Sequence, residues 1–226
     1  MQQLEKLDLN EELESTCQTW FRQIEDLAVI GLVIVAPDPL TDNSGRRILA
    51  VEPLDLLSAT SFLTHFNELT DLGGTETHHV QWQAIPPKNS NPRSLRETQW
   101  LTVSEEHGIH SLFRINFPSA KGRSFEFYLF SGRESTDCVS AAEVAWSALK
   151  VWPKIQHALR SDFTFLSPRE RQCLEMAFDG MTASESGAVI DCTERTVNFH
   201  LANAMKKCGV DNKFAAVQKA CIMGLI

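Results

Sequence analysis

The residues whose spacing best fits a chemical role lie in the last quarter of the chain. Four of them recur at i, i+3, i+4 and i+7, so a helix would present them as one stripe: Arg195, Asn198, Phe199 and Ala202. Arginine and asparagine side chains can make paired hydrogen bonds to base edges in a DNA major groove. Lys206 and Lys207 come one turn beyond the stripe, where their charges suit phosphate groups. This pattern would suit nucleic-acid recognition, although the spacing alone also fits the exposed face of a helix in a plain packing module.

No other set of residues in the sequence has the types and spacing of a metal site or a catalytic site. The six cysteines include no CxxC pair, and together with seven scattered histidines they form no zinc pattern. No nucleophile is paired with a base, so we expect no enzyme, no metal site and no cofactor. We expect the cysteines to be free thiols in a reducing cytoplasm, since cysteine is often buried.

Composition and charge restrict the protein class further. The chain has 226 residues, 43% of them apolar, which suits a folded protein of one large or two modest domains. Its longest apolar run, Leu27 to Ala36, is too short to span a membrane. The net charge of −8 argues against nucleic acid, but residues 1–161 carry −7 of it and residues 162–226 only −1.

The first 160 residues alternate between helical and extended patterns. We predict helices over 13–24, 54–69, 95–107 and 139–159, strands over 27–36 and 48–51, a loop over 86–92, and a hairpin of 109–117 with 125–130. In the last helix we expect Val144, Trp146, Leu149, Trp152 and Ile155 to face inward and Pro153 to kink or end it. These elements predict an α+β domain, a sandwich of helices around an antiparallel sheet.

From Ser167 onward every signal is helical. Ser167, Thr182 and Thr193 are suited to cap three successive helices, and Gly180 and Gly209 to end two of them. A fourth helix is predicted over 213–223. Two short helices joined by a tight turn make a helix-turn-helix, although periodicity alone also fits a plain four-helix packing module. We therefore expect domains at 1–160 and 167–226, joined by a linker at 161–166.

Several motifs in the second domain resemble one known family. They are Leu166-Ser-Pro-Arg-Glu-Arg-Gln-Cys-Leu174, Gly180-Met-Thr182, Thr193-Glu-Arg-Thr-Val-Asn-Phe-His-Leu201, Met205-Lys-Lys-Cys-Gly-Val210 and Gly224-Leu-Ile226. Their types and spacing resemble the DNA-binding domain of the LuxR/FixJ family. The resemblance implies a dimer contact on the fourth helix, at Val217, Ala220 and Cys221. This chain departs from the family pattern at Ser186, Gly187, Asp191 and Ala202, and a glycine inside a helix is expected to weaken it.

The first domain resembles the acyl-homoserine-lactone-binding domain of quorum-sensing LuxR-type receptors. The resemblance lies in Ile30-Gly-Leu32, in Val103-Ser-Glu-Glu-His-Gly-Ile-His-Ser111, and in the hairpin that follows. That family holds its ligand with tryptophan, aspartate and tyrosine side chains. The candidate pocket residues here are Phe62, Asp71, Trp82, Ser111, Phe113, Phe127 and Leu129. Phe62 stands where the tyrosine is expected, and the one tyrosine, Tyr128, is on a different strand.

These departures imply a degenerate lactone site. Either Phe113, Phe127 and Leu129 fill the pocket, or it takes a different, less polar autoinducer-like ligand. The first hypothesis is a homodimeric transcriptional regulator on a two-fold DNA site, without a membrane partner. Its DNA contacts would be Thr193, Arg195, Thr196, Asn198, Phe199, His200, Ala202, Lys206 and Lys207. The second is an anti-activator that forms mixed dimers with a true LuxR-type receptor, suggested by the acidic balance and the weakened helix.

Overall fold

The structure is a computed structural model. It describes residues 11–37, 46–53, 56, 80–87, 95–119, 124–134, 138–161, 166–222 and 224–226. The predicted helix over 54–69 lies outside these residues except for Leu56, and so does most of the predicted loop over 86–92. We call residues 11–161 the sheet half and residues 166–226 the helical half.

A five-stranded antiparallel sheet is the centre of the sheet half. Its strands are β1 (Val29–Pro37), β2 (Arg46–Glu52), β3 (Val80–Ala84), β4 (Ser111–Pro118) and β5 (Ser124–Ser131), in the order β2-β1-β5-β4-β3. The predicted hairpin is confirmed, with Phe113 paired to Leu129 and Ile115 paired to Phe127. The sequence analysis missed β3, because this short edge strand offers little burial contrast along its length.

Three helices flank the sheet. They are α1 (Glu11–Ile24), which ends in a 3-10 turn at Glu25–Leu27, α2 (Leu95–Glu106) and α3 (Cys138–Ser161). All three were predicted, the first and the third from their apolar spacing. The Trp20 Nε1–H of α1 donates to Ser147 Oγ of α3 at 3.2 Å, which ties the two helices together. Among the described residues, no helix is both long and apolar enough to cross a membrane.

The inward face of α3 differs from the prediction. Trp146 and Leu149 are 59% and 51% exposed, so the expectation that they face the core is wrong. The buried face instead follows Val144, Ala148, Val151 and Ile155, at spacings of three and four residues. Pro153 does not end the helix, which continues to Ser161.

The two faces of the sheet pack against different helices. On one face, Phe113, Phe127 and Leu129 belong to the core formed with α1 and α3. On the other face, Tyr128 and Phe130 belong to a second core, to which α2 contributes Trp100 and Leu101. The remaining buried members of this core are Val33, Val35, Ile48, Val51, Leu56, Ile109 and Leu112. Alternation along β4 and β5 sends successive side chains to these two cores.

The helical half has four helices around a third core. They are α4 (Pro168–Phe178), α5 (Ala183–Val189), α6 (Glu194–Cys208) and α7 (Lys213–Ile222). Leu174, Val197 and Ala216 are fully buried in this core. The predicted linker falls between the end of α3 at Ser161 and the start of α4 at Pro168.

The two halves touch where α7 ends. Ser119, just after β4, donates its hydroxyl to the Ile222 carbonyl oxygen at 3.1 Å. Ile222 is only 2% exposed. A cavity of about 290 Å³ opens beside this contact, lined by Pro118, Ser119, Phe125, Gln156, Leu159, Cys221, Ile222 and Gly224. The end of α7 is therefore packed between its own domain and the sheet half.

Candidate functional site

Side-chain caps fix the helices that would meet DNA. Thr193 Oγ1 accepts a hydrogen bond from the Thr196 N–H at 3.2 Å, and the two hydroxyls lie 2.8 Å apart. Gly209 ends the helix at a φ of +64°, in the left-handed region that glycine tolerates. Thr182 and Glu185 form a reciprocal capping box at the start of α5. The start of α6 is thus defined by the same two threonines that were predicted to lie near DNA.

The predicted stripe lies on the outer face of α6. Arg195, Asn198, Phe199 and Ala202 are all exposed, Phe199 by 61%. The opposite face of the helix, with Val197, Leu201, Ala204 and Cys208, is buried. His200 is half-buried, and its ring lies 5.9 Å from that of Phe199. A helix with one buried face and one exposed polar face can enter a major groove without losing its core contacts.

Gly187 of α5 has a packing role that the sequence analysis did not predict. A Cβ at this position would lie 2.6 Å from the Cys192 carbonyl oxygen, closer than any carbon atom can sit. The missing side chain lets α5 approach the turn before α6. Asp191 in that turn adopts a φ of +52°, a backbone conformation that aspartate tolerates better than most residues. The two departures from the family pattern therefore belong to one close turn.

Glu170 joins α4 to α6. Its Oε2 accepts from Lys207 Nζ at 2.7 Å and from the Ser167 backbone N–H at 2.7 Å. Burial of the carboxyl acts to raise its pKa, but the hydrogen bonds from Lys207 and Ser167 outweigh it and lower the pKa below the usual value. Lys207, predicted to contact phosphate, is therefore committed to a structural ion pair.

Two further lysines of the helical half, Lys219 and Lys213, also have structural partners. Lys219 Nζ donates to the Cys208 carbonyl oxygen at 2.7 Å, at the C-terminus of α6, where a positive charge is favourable. Lys213 Nζ lies 5.4 Å from the centre of the Phe214 ring. Arg195, Lys206 and Lys207 are all exposed on α6. Because Lys207 is ion-paired with Glu170, Arg195 and Lys206 are the bases on this helix that best suit DNA.

The three residues of α7 that were predicted to form the dimer contact have different surroundings. Ala220 is fully buried in the core of the helical half, so it has no surface to offer another chain. Val217 packs partly against the same core. Cys221 is half-buried and lines the cavity next to the sheet half.

Five cysteines have described side chains, and all five are free thiols: Cys17, Cys173, Cys192, Cys208 and Cys221. Burial, followed by the nearby charges of Glu52 and Glu14, raises the pKa of Cys17 to about 12. A buried thiol of this kind is unreactive at neutral pH. In the described part of the chain, no group of three His, Cys, Asp or Glu side chains is placed to hold a metal ion.

Five of the seven predicted pocket residues are described by the structure, and their surroundings differ. Phe113, Phe127 and Leu129 pack into the core between the sheet, α1 and α3. Ser111 is buried, and its hydroxyl donates to the Arg133 carbonyl oxygen at 2.8 Å. Trp82 pairs with Phe113 across the strands and is 39% exposed on the edge strand. Phe62 and Asp71 lie outside the described residues.

The opposite face of the sheet carries a buried polar cluster that the sequence analysis did not single out. Arg114 Nη2 lies 3.1 Å from Glu126 Oε2, and the Tyr128 hydroxyl donates to the same carboxylate oxygen. The guanidinium carbon of Arg114 lies 5.9 Å from the centre of the Tyr128 ring. The alternation of side chains along the two hairpin strands could have predicted this cluster, because it places Arg114, Glu126 and Tyr128 on one face of the sheet.

Comparison with known proteins agrees with this architecture. Residues 164–220 match the family described as bacterial regulatory proteins, luxR family. AnoR of Acinetobacter nosocomialis, a transcriptional activator, is 44% identical over 62 residues, 27% of this chain and 26% of AnoR. The chain thus matches about a quarter of the length of this relative.

Two other relatives match over much more of the chain. The transcriptional activator LuxR of Aliivibrio fischeri is 32% identical over 173 residues, 73% of this chain and 68% of LuxR. A crystal structure of Escherichia coli SdiA has a TM-score of 0.59 at 16% identity, covering 96% of this chain and 93% of SdiA. SdiA in complex with octanoyl-rac-glycerol has a TM-score of 0.58 at 17% identity, with coverage of 96% and 90%. This chain therefore belongs to the LuxR family of bacterial regulatory proteins.

Proposed function

We propose that this chain is a cytoplasmic, homodimeric DNA-binding regulator of transcription. Residues 1–160 act as a sensor and dimerisation domain, 161–166 as a linker and 167–226 as the DNA-binding domain. The main support for this proposal is the exposed stripe of α6, because the opposite face of the helix is buried in the core of the helical half. Arg195, Thr196, Asn198, Phe199 and Ala202 face the bases, while Thr193, His200 and Lys206 lie near the phosphate backbone. Lys207 supports the helix through Glu170 and contributes less to DNA.

Fluorescence anisotropy with a palindromic promoter fragment tests this proposal. Arg195→Ala and Asn198→Ala should each cost ~1–3 kcal/mol of binding and relax sequence preference, because both remove base contacts. Lys206→Ala should weaken binding to every sequence alike and lower the salt slope by ~1 per subunit. Arg22→Ala, which removes an exposed arginine from α1, is the matched control. Absence of salt-dependent binding to any DNA would refute the proposal.

An apolar stripe on α3 supports the homodimer. Val139, Trp146 and Leu149 are 68%, 59% and 51% exposed, and they lie on one side of the helix. Large apolar side chains that share an exposed helix face mark an association surface. Two copies of α3 packed by this stripe would bury it and bring two DNA-binding halves together. Val217 of α7, which is half-buried, suits a second, smaller contact.

Sedimentation velocity of the purified chain tests the dimer. Trp146→Glu should convert it into a monomer, because a carboxylate would be buried at the contact without a partner. Phe178→Glu is the control, since Phe178 is similarly exposed, at 63%, but lies on α4. Equal dissociation by both variants, or by neither, would remove α3 from the interface.

We further propose that the sensor responds to an amphiphile whose head group is not a homoserine lactone. One structure of similar fold is SdiA in complex with octanoyl-rac-glycerol, an uncharged amphiphile. In this chain, the face that α2 covers carries an ion pair and a buried tyrosine. Native mass spectrometry of the purified protein, with recovery of a standard lactone as the contrary result, tests this choice.

The anti-activator hypothesis has lost one of its two motives. Gly187 fits a close approach between α5 and the turn before α6, so it does not indicate a failing DNA-binding domain. The acidic sheet half remains in its favour, with a net charge of −7 over residues 1–161. Co-expression with a LuxR-type receptor separates the two functions: an anti-activator would co-purify with the receptor and release it from DNA while binding no DNA itself.

A further inference from the structure

Two free thiols of the helical half approach the same core from different elements. Cys173 of α4 is fully buried, whereas Cys192 is half-buried in the turn between α5 and α6. Both side chains pack in the core of the helical half. Burial raises the pKa of Cys173, and the negative charge that Cys192 carries as a thiolate raises it further. Charges affect one another in this way over short distances, which places the two thiols close together in the fold.

The two thiols differ in what can reach them. The Cys192 side chain is open to solvent on one side, and its Sγ donates a weak hydrogen bond to the Thr193 carbonyl oxygen at 3.7 Å. The Cys173 side chain has no exposed surface, so a dissolved oxidant cannot reach it directly. An accessible thiol next to a buried one suits a pair in which the first is oxidised and the second then resolves it.

The turn that carries Cys192 is held from both sides. Towards α5, the Cys192 N–H donates to the Gly187 carbonyl oxygen at 2.9 Å, and the missing side chain of Gly187 leaves room for the Cys192 carbonyl oxygen. Towards α6, the Thr193 carbonyl oxygen accepts from the Val197 N–H at 3.1 Å, in the first turn of the helix. A displacement of Cys192 is therefore passed to the start of α6, where Arg195 lies.

We propose that Cys192 and Cys173 form a reversible disulfide when a peroxide oxidises the protein, and that this bond lowers its affinity for DNA. This regulation rests on the proposed function, since it acts on the DNA-contacting helix. A disulfide holds its sulfur atoms about 2 Å apart, closer than two thiols that merely touch. Cys173 is fixed in the core, so Cys192 and its turn make the approach and move Arg195 away from the bases. Disulfides in cytoplasmic proteins are usually transient and redox-sensing, which fits a reversible bond here.

The reaction takes two steps and consumes one molecule of hydrogen peroxide. The Cys192 thiolate attacks a peroxide oxygen: an S–O bond forms, the O–O bond breaks, and hydroxide leaves and takes up the thiol proton as water. The Cys173 sulfur then attacks the Cys192 sulfur: the S–S bond forms, the S–O bond breaks, and the hydroxyl leaves as water with the proton of Cys173. Two electrons pass from the two sulfurs to the peroxide, which is reduced to two molecules of water.

Peptide mapping by mass spectrometry tests the bond itself. Trypsin cleaves after Arg171 and Arg195, and no lysine or arginine lies between them, so peptide 172–195 contains Cys173 and Cys192 and no other cysteine. The full chain is treated with hydrogen peroxide, its free thiols are blocked with iodoacetamide, and it is digested without reductant. The peptide should then carry no blocking group and be two hydrogen atoms lighter than the dithiol. Dithiothreitol should make both thiols available to the blocking reagent again.

Fluorescence anisotropy with the palindromic promoter fragment tests the effect on DNA binding. Peroxide should weaken binding by ~10-fold or more, the equivalent of one lost base contact, and dithiothreitol should restore it. Cys192→Ser and Cys173→Ala should each bind like the reduced chain, with or without peroxide. Cys208→Ala is the matched control: it removes another buried thiol from the same core and should leave the response to peroxide intact.

Four results would overturn the proposal: two free thiols in peptide 172–195 after peroxide, unchanged DNA affinity of the oxidised chain, a loss of affinity that dithiothreitol does not reverse, or a Cys192→Ser variant as sensitive as the unaltered chain. Cys192 lies in a half-exposed turn, so this variant remains a test even where Cys173→Ala fails to fold. Absence of DNA binding by the reduced chain would count against the proposed function instead, and the peptide map would still report the disulfide.

Discussion

A single carboxylate, Glu170, closes a helix cap and an ion pair at the same time. It completes the capping box with Ser167 and holds Lys207 at 2.7 Å. The sequence predicted the first role from the Ser-Pro-Arg-Glu spacing. It gave no sign of the second, because Lys207 is 37 residues away and only the packing of α4 against α6 brings the two together. Contacts of this length are set by tertiary structure rather than by local pattern.

Acid should weaken the helical half through Glu170. Its pKa is lowered in the folded state, so its stabilisation is complete above the unfolded value of ~4.3 and is lost as pH falls through the folded value. Glu170→Gln should cost ~1–2 kcal/mol at neutral pH and flatten the stability curve in that acid window. Urea unfolding across pH measures this. Glu175→Gln, whose partner Arg171 lies 3.8 Å away at the surface, should change little.

Gly187→Ala should destabilise the helical half. In an ordinary helix this change would gain ~1 kcal/mol, since alanine favours helix over glycine. Here the new Cβ would meet the Cys192 carbonyl oxygen, and the forced shift should cost ~1–3 kcal/mol. Chemical denaturation measures the difference. Ser184→Ala, at an exposed position of the same helix, should be neutral or stabilising, and an equal response of the two variants would contradict the close approach.

At the scale of elements, the strand and helix patterns were predictable where one face is buried and the other is not. The hairpin is an example, since its alternating aromatic residues give both strands and their register. The function of each face was not predictable in the same way. Phe113 and Leu129 are as apolar as pocket residues would be, and only the position of α1 and α3 shows that they are core. Periodicity assigns residues to faces but does not say which partner covers a face.

The long helix α3 tolerates a proline at a cost. Pro153 removes one backbone N–H from the helix and crowds the carbonyl of the preceding turn. Pro153→Ala should therefore raise the free energy of unfolding by ~1–2 kcal/mol, since the helical gain exceeds the lost restriction of the unfolded chain. Thermal unfolding measures the shift. Lys154→Ala, at the exposed neighbouring position, should leave stability nearly unchanged, and a lower melting temperature for Pro153→Ala would contradict this account.

At the scale of the whole molecule, the charge is distributed unevenly between the two halves. The sheet half is acidic, while the helical half is close to neutral, with its bases on and after one helix. The structure then reduces the number of bases free for DNA, because Lys207 and Lys219 bind groups within the protein. One copy should thus bind DNA weakly, and dimerisation should supply most of the affinity. Composition predicted the imbalance, but not which lysines were already engaged.

The contact at the end of α7 should make the two halves unfold together. Ile222→Ala removes a buried side chain beside the Ser119 hydrogen bond, which should cost ~2–5 kcal/mol. Differential scanning calorimetry should show one transition for the unaltered chain and two separated transitions for the variant. Val189→Ala, at a position that is 63% exposed, is the control. Two transitions in the unaltered chain would show that the contact does not couple the halves.

This contact also restricts how the protein can be recombined with its relatives. Residues 162–165 look like a natural junction for a chimaera, since they join two separately packed cores. A helical half grafted there would still carry Ile222 and Cys221, whose surroundings include Pro118, Ser119 and Phe125 of the sheet half. A foreign sensor would leave these side chains against an unmatched surface. In a working hybrid, the residues after β4 and the last turn of α7 should therefore come from the same parent protein.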